Sequence, residues 1–175
     1  MVQFGTAGVR GSVSDQVTPT VALSVGQAVG RLVAEATGDS APEIVIGRDG
    51  RTTGPALAAA LEAGVAAAGC RPVRLGQVPT PTLAFASRGR HGLMVTASHN
   101  PSTDNGIKPF VDGREFDSDQ EATVEAYVTE QAPPAPWDEW GGPTTTDPLP
   151  AYRQAVVEYA RGFGADCEGM RIAVD

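Results

Sequence analysis

Ser98, His99 and Lys108 fall within eleven residues of one another in the stretch GLMVTASHNPSTDNGIKPF, residues 92–110. His99 is one of two histidines, and Lys108 is the only lysine among thirteen basic residues. A serine hydroxyl is a weak nucleophile until a base takes its proton or a cation stabilises developing negative charge. His99 is a candidate base. Lys108 offers a compact point charge suited to a phosphate or, when partly desolvated, to proton transfer. The dipeptides Asn100-Pro101 and Asn105-Gly106 are strong turn signals that would fold the segment back and bring Lys108 towards Ser98. These residue types make phosphoryl chemistry on Ser98 reasonable. On residue types alone an ordinary turn accounts for them more readily, with Ser98 and Asn100 bonding to their own backbone and His99 and Lys108 solvated.

Positioning such a hydroxyl requires a scaffold, and the surrounding sequence reads as an α/β one. Residues 43–47, 72–76, 91–97 and 107–111 are short apolar runs bounded by proline, glycine or turn residues, as expected of strands. Helices are expected around residues 23–33, with Gly38 as a stop signal, and over 56–68, with Pro55 in its first turn. Others are expected over 81–87, from the Ser118-x-x-Glu121 capping box to about residue 131, and over 149–162 with Asp147 as cap. Strands alternating with helices predict a layered α/β domain with a mixed, largely parallel sheet flanked by helices. The strand at 107–111 follows its neighbour too closely for a crossover helix, so it should run antiparallel. Ligands of such folds sit beyond the carboxyl ends of the parallel strands, which is where Ser98 falls, directly after the strand ending at Ala97.

Composition narrows the partners. The chain has 175 residues, 41% hydrophobic content and a formal net charge of −8, with no basic run. That profile suits a globular domain and argues against nucleic acid. Strong acidity with arginine in place of lysine fits a high-salt cytoplasm or a GC-rich genome alike. No apolar run reaches the roughly 20 residues of a membrane span, and the first residues lack the pattern of a signal peptide, so a cytoplasmic location is expected. Cys70 and Cys167 have no metal-ligand spacing and read as two reduced thiols. The stretch 132–148 is rich in proline and glycine and reads as a linker. Residues 149–175 then read as a helix and an opening strand, Arg171 to Asp175, of a truncated second domain.

Three motifs in order carry a resemblance. Thr96-Ala97-Ser98-His99-Asn100-Pro101 is similar to the phosphoserine signature of the α-D-phosphohexomutases: phosphoglucomutases, phosphomannomutases and phosphoglucosamine mutases. Phe4-Gly5-Thr6-Ala7-Gly8-Val9-Arg10-Gly11 resembles their N-terminal loop, and Gly47-Arg48-Asp49-Gly50-Arg51 their post-strand turn. Residues 1–131 would then be domain I of that fold. The resemblance implies that Ser98 carries a phosphoryl group and that His99 assists proton transfer or orients the phosphate. It also implies that Lys108 stabilises or protonates at the transfer site and that Arg10 grips phosphate oxygens. Arg48, Asp49 and Arg51 are expected to be structural, with Asp49 tying its loop by hydrogen bonds.

The implied reaction moves phosphate between the C1 and C6 oxygens of a hexose phosphate through a bisphosphorylated sugar. It uses Mg2+ and a glucose 1,6-bisphosphate-type activator. Ser98, through its phosphate, would give the metal one ligand. The family's aspartate-rich metal loop, sugar-recognition loop and C-terminal phosphate loop have no counterpart in these 175 residues. Missing C-terminal domains of the same protein are therefore expected partners, and the chain alone should not turn over substrate. A non-catalytic phosphosugar-binding module and a phosphoglucosamine mutase domain are the alternatives, although the loop motifs lean towards the glucose/mannose branch. A serine hydrolase is disfavoured, because Thr96 and Asn100 occupy the glycine places of a nucleophile elbow.

Overall fold

A computed structural model describes Gly5 and residues 8–131, 133–164 and 168–173. Its elements in chain order are β1 (Val9–Ser12), α1 (Pro19–Thr37), β2 (Glu43–Arg48), α2 (Gly54–Ala67), β3 (Arg71–Gln77), α3 (Thr80–Ala86) and β4 (His91–Val95). There follow β5 (Asp104–Val111), β6 (Arg114–Glu115), α4 (Ser118–Glu130), a 3₁₀ turn (Trp137–Glu139), β7 (Thr144–Thr145) and α5 (Leu149–Gly162).

The strands form one mixed sheet in the order β1-β5-β4-β2-β3-β7, with β6 paired to β5. Strands β4, β2, β3 and β7 run parallel, whereas β5 is antiparallel to both β4 and β1. The expected reversal at 107–111 is thus present. The strand after β4 begins at Asp104, so the polar turn between them is only residues 96–103.

Alternation along the strands divides the core in two, as the pleat requires. Ile44, Ile46, Leu93, Val95 and Ile107 join the larger cluster with Val25, Val29, Leu57 and Leu61 from α1 and α2. Val45, Met94 and Phe110 join Val73, Leu75 and Leu83 on the other face, under α3. Local chemistry fixes the helix ends. The Thr18 hydroxyl accepts from Val21 N at the start of α1, Pro19 takes the first helical position, and Gly38 closes the helix at φ 65°. Gly38 works as a stop because only glycine adopts that conformation without a Cβ penalty.

Four local expectations need correction. The capping box of α4 is not Ser118/Glu121 but Asp117/Gln120, one residue earlier. The Asp117 carboxylate accepts from Asp119 N and Gln120 N, and places negative charge at the positive end of the helix. Leu23, whose apolar spacing with Val25, Ala28, Val29, Leu32 and Val33 predicts the helix at 23–33, is itself 41% exposed. The proline- and glycine-rich stretch is more than a connector. Ala135 N donates to Ala67 O, and β7 adds an edge strand to β3. Helix α5 rests on α3, with the Tyr152 and Phe85 rings edge to face at 5.7 Å. The strand expected over 171–175 is not formed at 171–173, which are exposed; Val174 and Asp175 lie outside the described residues.

Cys70 is buried and free, and its thiol donates to Gly30 O. Burial pushes this thiol up to about 11. Cys167 lies outside the described residues. Among the described residues, no helix is long and apolar enough to cross a membrane.

Candidate functional site

Strands β2 and β4 are neighbours and parallel, with Arg48 opposite Val95. The loops that leave their carboxyl ends, 49–53 and 96–103, therefore emerge side by side. Asp49 N donates to Val95 O and locks the first loop to the end of β4.

Ser98 sits at the crest of the second loop. Its side chain is exposed, and its backbone is left-handed at φ 56°. That region is uncommon for a residue with a Cβ and persists only where the surroundings impose it. Here the surroundings are specific. Ser98 N donates to Thr96 Oγ1 at 3.0 Å, and Thr96 Oγ1 donates to Asp49 Oδ2 at 2.8 Å. Arg51 approaches from the other loop and spends every N–H it has. Nη2 donates to Ser98 O (3.0 Å) and Asn100 O (2.8 Å), and Nη1 to Pro101 O (2.6 Å) and Asp104 O (3.1 Å). Nε donates to Asp49 Oδ2 at 3.3 Å, while Arg51 N donates to Asp49 Oδ1. Asp49 thus ties its own loop and the serine loop together.

Arg10 reaches the same loop from β1. Its Nη1 donates to Asn100 Oδ1 at 3.3 Å, and Asn100 Nδ2 donates to Asp104 Oδ2. Arg10 Nε is buried with no hydrogen-bond partner. Arg10 pairs with Gly106 in the β1/β5 register. Gly106 is required there, because a Cβ would stand 2.6 Å from Thr96 O and 2.8 Å from Val9 O. Of the N-terminal motif, Phe4, Thr6 and Ala7 lie outside the described residues.

His99 is exposed beside Ser98. Lys108 lies on β5 opposite Met94, two residues beyond Gly106, and so on the same face of the sheet as Arg10. Its ammonium is held by Glu115 Oε1 at 2.8 Å. The structure therefore brings Ser98, His99 and Arg10 to one loop, and sets Lys108 on the shared face with its charge paired elsewhere. Sequence reasoning gave Thr96 and Asn100 only as motif and turn residues, not as members of the hydrogen-bond network that holds Ser98 and Arg10. Arg48, read as structural, donates to the carbonyl of Asp49.

A cleft of about 390 Å³ opens elsewhere, lined by Ser24, Arg31, Glu35, Tyr127 and Pro133 among others. It runs along α1 from Ser24 to Glu35, against Ala68 and the last turn of α4, and contains no residue of the serine loop.

Comparison with known proteins agrees with the motifs. Residues 1–134 match the family model for phosphoglucomutase/phosphomannomutase, alpha/beta/alpha domain I. Among curated relatives, a phosphoglucosamine mutase of Synechococcus elongatus is 38% identical over 98% of this chain and 37% of that protein. One of Burkholderia thailandensis is 39% identical over 98% of this chain and 40% of that protein. The chain thus spans about two-fifths of the length of these relatives. A crystal structure of a phosphoglucomutase/phosphomannomutase family protein from Burkholderia thailandensis superposes with a TM-score of 0.77 at 30% identity, covering 90% of this chain and 36% of that one. The open form of the phosphoglucomutase pp63/parafusin from Paramecium shares the fold, with a TM-score of 0.69 at 18% identity. The chain belongs to the phosphoglucomutase/phosphomannomutase family, and its first 134 residues are the α/β/α domain I of that family.

Proposed function

We propose that Ser98 is the phosphoryl carrier of a phosphohexomutase, and that this chain supplies the carrier domain while the sugar is held largely by the rest of the protein. The observation that carries this reading is the exposed Ser98 at the crest of a doubly clamped loop, to which the Arg10 guanidinium is also hydrogen-bonded through Asn100 Oδ1. A phosphate on Ser98 would give Arg10 Nε the acceptor it lacks; leaving such a donor unmet costs about 1–3 kcal/mol.

In the proposed reaction the Oγ–P bond of phosphorylated Ser98 breaks as a sugar hydroxyl forms a new O–P bond. His99 receives the hydroxyl proton and passes it to the departing Ser98 Oγ. The resulting bisphosphate turns over, and its other phosphoryl group returns to Ser98 Oγ as that sugar oxygen regains a proton. Placement and charge stabilisation do most of this work. Arg10 grips the travelling oxygens, and Lys108 joins them by exchanging Glu115 for phosphoryl oxygen.

Magnesium would meet this chain only at a phosphate oxygen on Ser98. Among the described residues no three His, Cys, Asp or Glu side chains group to hold a metal. Asp49 and Asp104 are already engaged within the loop network. The remaining ligands would come from beyond these 175 residues.

The two curated relatives named above are phosphoglucosamine mutases, which favours a glucosamine phosphate over the glucose/mannose lean of the loop motifs. The test is intact-mass analysis of the complete gene product after incubation with glucose 1,6-bisphosphate and Mg2+, followed by coupled assays on glucose, mannose and glucosamine phosphates. One added phosphate on Ser98, absent in Ser98→Ala, with highest turnover on the glucosamine phosphate is expected. Full activity in Ser98→Ala would refute the carrier role. The 175-residue chain by itself should show no turnover.

A further inference from the structure

We infer that Thr96, Asp49 and Arg51 are positioning residues for phosphoryl transfer. Together they hold Ser98 in its left-handed conformation, so that its hydroxyl stands clear of the loop. This rests on the phosphoserine reading above and adds to it a device acting through the backbone rather than through the phosphate.

Arg51 cannot itself be a phosphate ligand in this arrangement, because all five N–H donors are taken by Asp49 and by the carbonyls of residues 98, 100, 101 and 104. Its side chain is only 15% exposed. What the guanidinium fixes is the path of the chain on both sides of the serine. The donors must point in five directions within one plane, which a lysine ammonium with three donors at a single point cannot reproduce.

Thr96 closes the circuit. It is 6% exposed, and its hydroxyl donates to the carboxylate that orients Arg51 while accepting from the serine's own N–H. A threonine hydroxyl can do both at once, having one donor and two acceptor sites. The left-handed residue is thus held from its N–H by Thr96 and from its C=O by Arg51, and Asp49 joins the two holders. Catalytic groups misplaced by about 1 Å lose about a hundredfold in rate, so this frame has a kinetic consequence without touching substrate.

The paired substitutions Thr96→Val and Thr96→Ser separate positioning from packing. Valine keeps the shape and loses the hydroxyl; serine keeps the hydroxyl and loses the methyl. In the complete gene product, kcat and KM would be measured with a hexose phosphate, glucose 1,6-bisphosphate and Mg2+. Phosphate occupancy of Ser98 would be followed by intact mass, and the thermal midpoint would report folding. The expected result is a Thr96→Ser enzyme within twofold of wild type. Thr96→Val should lose at least tenfold in kcat with KM within twofold, and Arg51→Lys should behave like Thr96→Val. A Thr96→Val enzyme equal to wild type, a Thr96→Ser enzyme worse than Thr96→Val, or a loss confined to KM would overturn the inference. Should Arg51→Lys not fold, the threonine pair decides alone. Wild-type protein that never takes phosphate on Ser98 would remove the carrier reading and this inference together. Phosphorylated wild type with an unimpaired Thr96→Val would remove this inference only.

Discussion

Arg10 Nη1 donates to the side-chain oxygen of Asn100 across 3.3 Å, while Nε of the same guanidinium is buried without an acceptor. One end of the group is tethered to the serine loop and the other is unsatisfied. A phosphoryl group on Ser98 should therefore stabilise the domain through Arg10. A charge-assisted bond of this kind contributes about 1.5–3 kcal/mol, and each kcal/mol moves the melting point by about 2–4 °C at this size. The phosphorylated protein should melt several degrees above the dephosphorylated one, and Arg10→Ala should abolish most of that difference. An equal gap in wild type and variant would place the phosphate away from Arg10.

Lys108 presents the opposite case, a cation already paired. Its side chain is 15% exposed and that of its partner Glu115 is 48% exposed. Glu115 pairs with Phe110 on the neighbouring strand, so the ion pair is a diagonal one across β5 and β6. Half-exposed pairs of this sort contribute at most about 1 kcal/mol. Glu115→Gln should thus shift the thermal midpoint by no more than a few degrees. Lys108→Met should be similarly mild for stability, yet reduce turnover of the complete gene product by at least a hundredfold if the ammonium meets the travelling phosphoryl group. Wild-type turnover in Lys108→Met would leave Lys108 a surface strut.

Which parts of this were legible in the sequence follows from the range of the interactions involved. Strands β2 and β4 announce themselves because each buries a run of apolar side chains, β3 and the second half of β5 through shorter apolar stretches between turn residues, and the reversal at β5 follows from a connection too short for a helix. Strand β1, reading Val-Arg-Gly-Ser, has no such pattern. It exists because β5 offers it an edge, with Val9 opposite Ile107 and Ser12 opposite Asp104. Strand β7 is two threonines inside a proline-rich stretch, and only the free edge of β3 makes it a strand. The capping box moved by one residue because two overlapping polar pairs compete for the same turn, and the carboxylate of Asp117 wins over the hydroxyl of Ser118. At the site, Ser98 is marked by local residues, whereas the Arg51 clamp spans 47 to 53 residues of chain and becomes visible only once β2 and β4 are known to be neighbours.

Helices α1 and α2 approach through glycine, and that contact sets a stability prediction. A Cβ on Gly64 would stand 2.1 Å from Leu23 O, and one on Gly26 would stand 2.5 Å from Leu61 O. Alanine ordinarily improves a helix by about 0.5–1 kcal/mol over glycine. At Gly64 the clash is with backbone, which has no rotamer to escape into, and overpacking of this kind costs about 1–3 kcal/mol or more. Gly64→Ala should therefore lower stability in denaturant melts. Gly162, in the last turn of α5 with open space around it, supplies the contrast. Gly162→Ala should be neutral or slightly stabilising. Equal effects at the two positions would mean that the helices separate freely.

His91 gives the fold a pH dependence with a definite sign. It opens β4 opposite Val111, and its ring meets the edge of Phe116 at 6.1 Å. Asp39, Glu43, Arg90 and Asp112 line the shallow cleft beside it, with Glu43 paired to Arg90. Burial is the dominant influence and holds the imidazole below the ordinary histidine value. In the unfolded chain the group titrates near 6.5, so as pH falls below about 6.5 the unfolded state takes up the proton first. Stability contributed by the neutral ring is whole above that point and drains away down to the lower folded value, because stability rises with pH wherever the unfolded state binds more protons. Between pH 7 and 5 the thermal midpoint should fall more steeply for the wild type than for His91→Gln. The acidic and basic groups along the cleft are common to both proteins, so the difference between the two curves isolates the ring. Parallel melting curves over that range would show that the ring gains its proton as readily folded as unfolded.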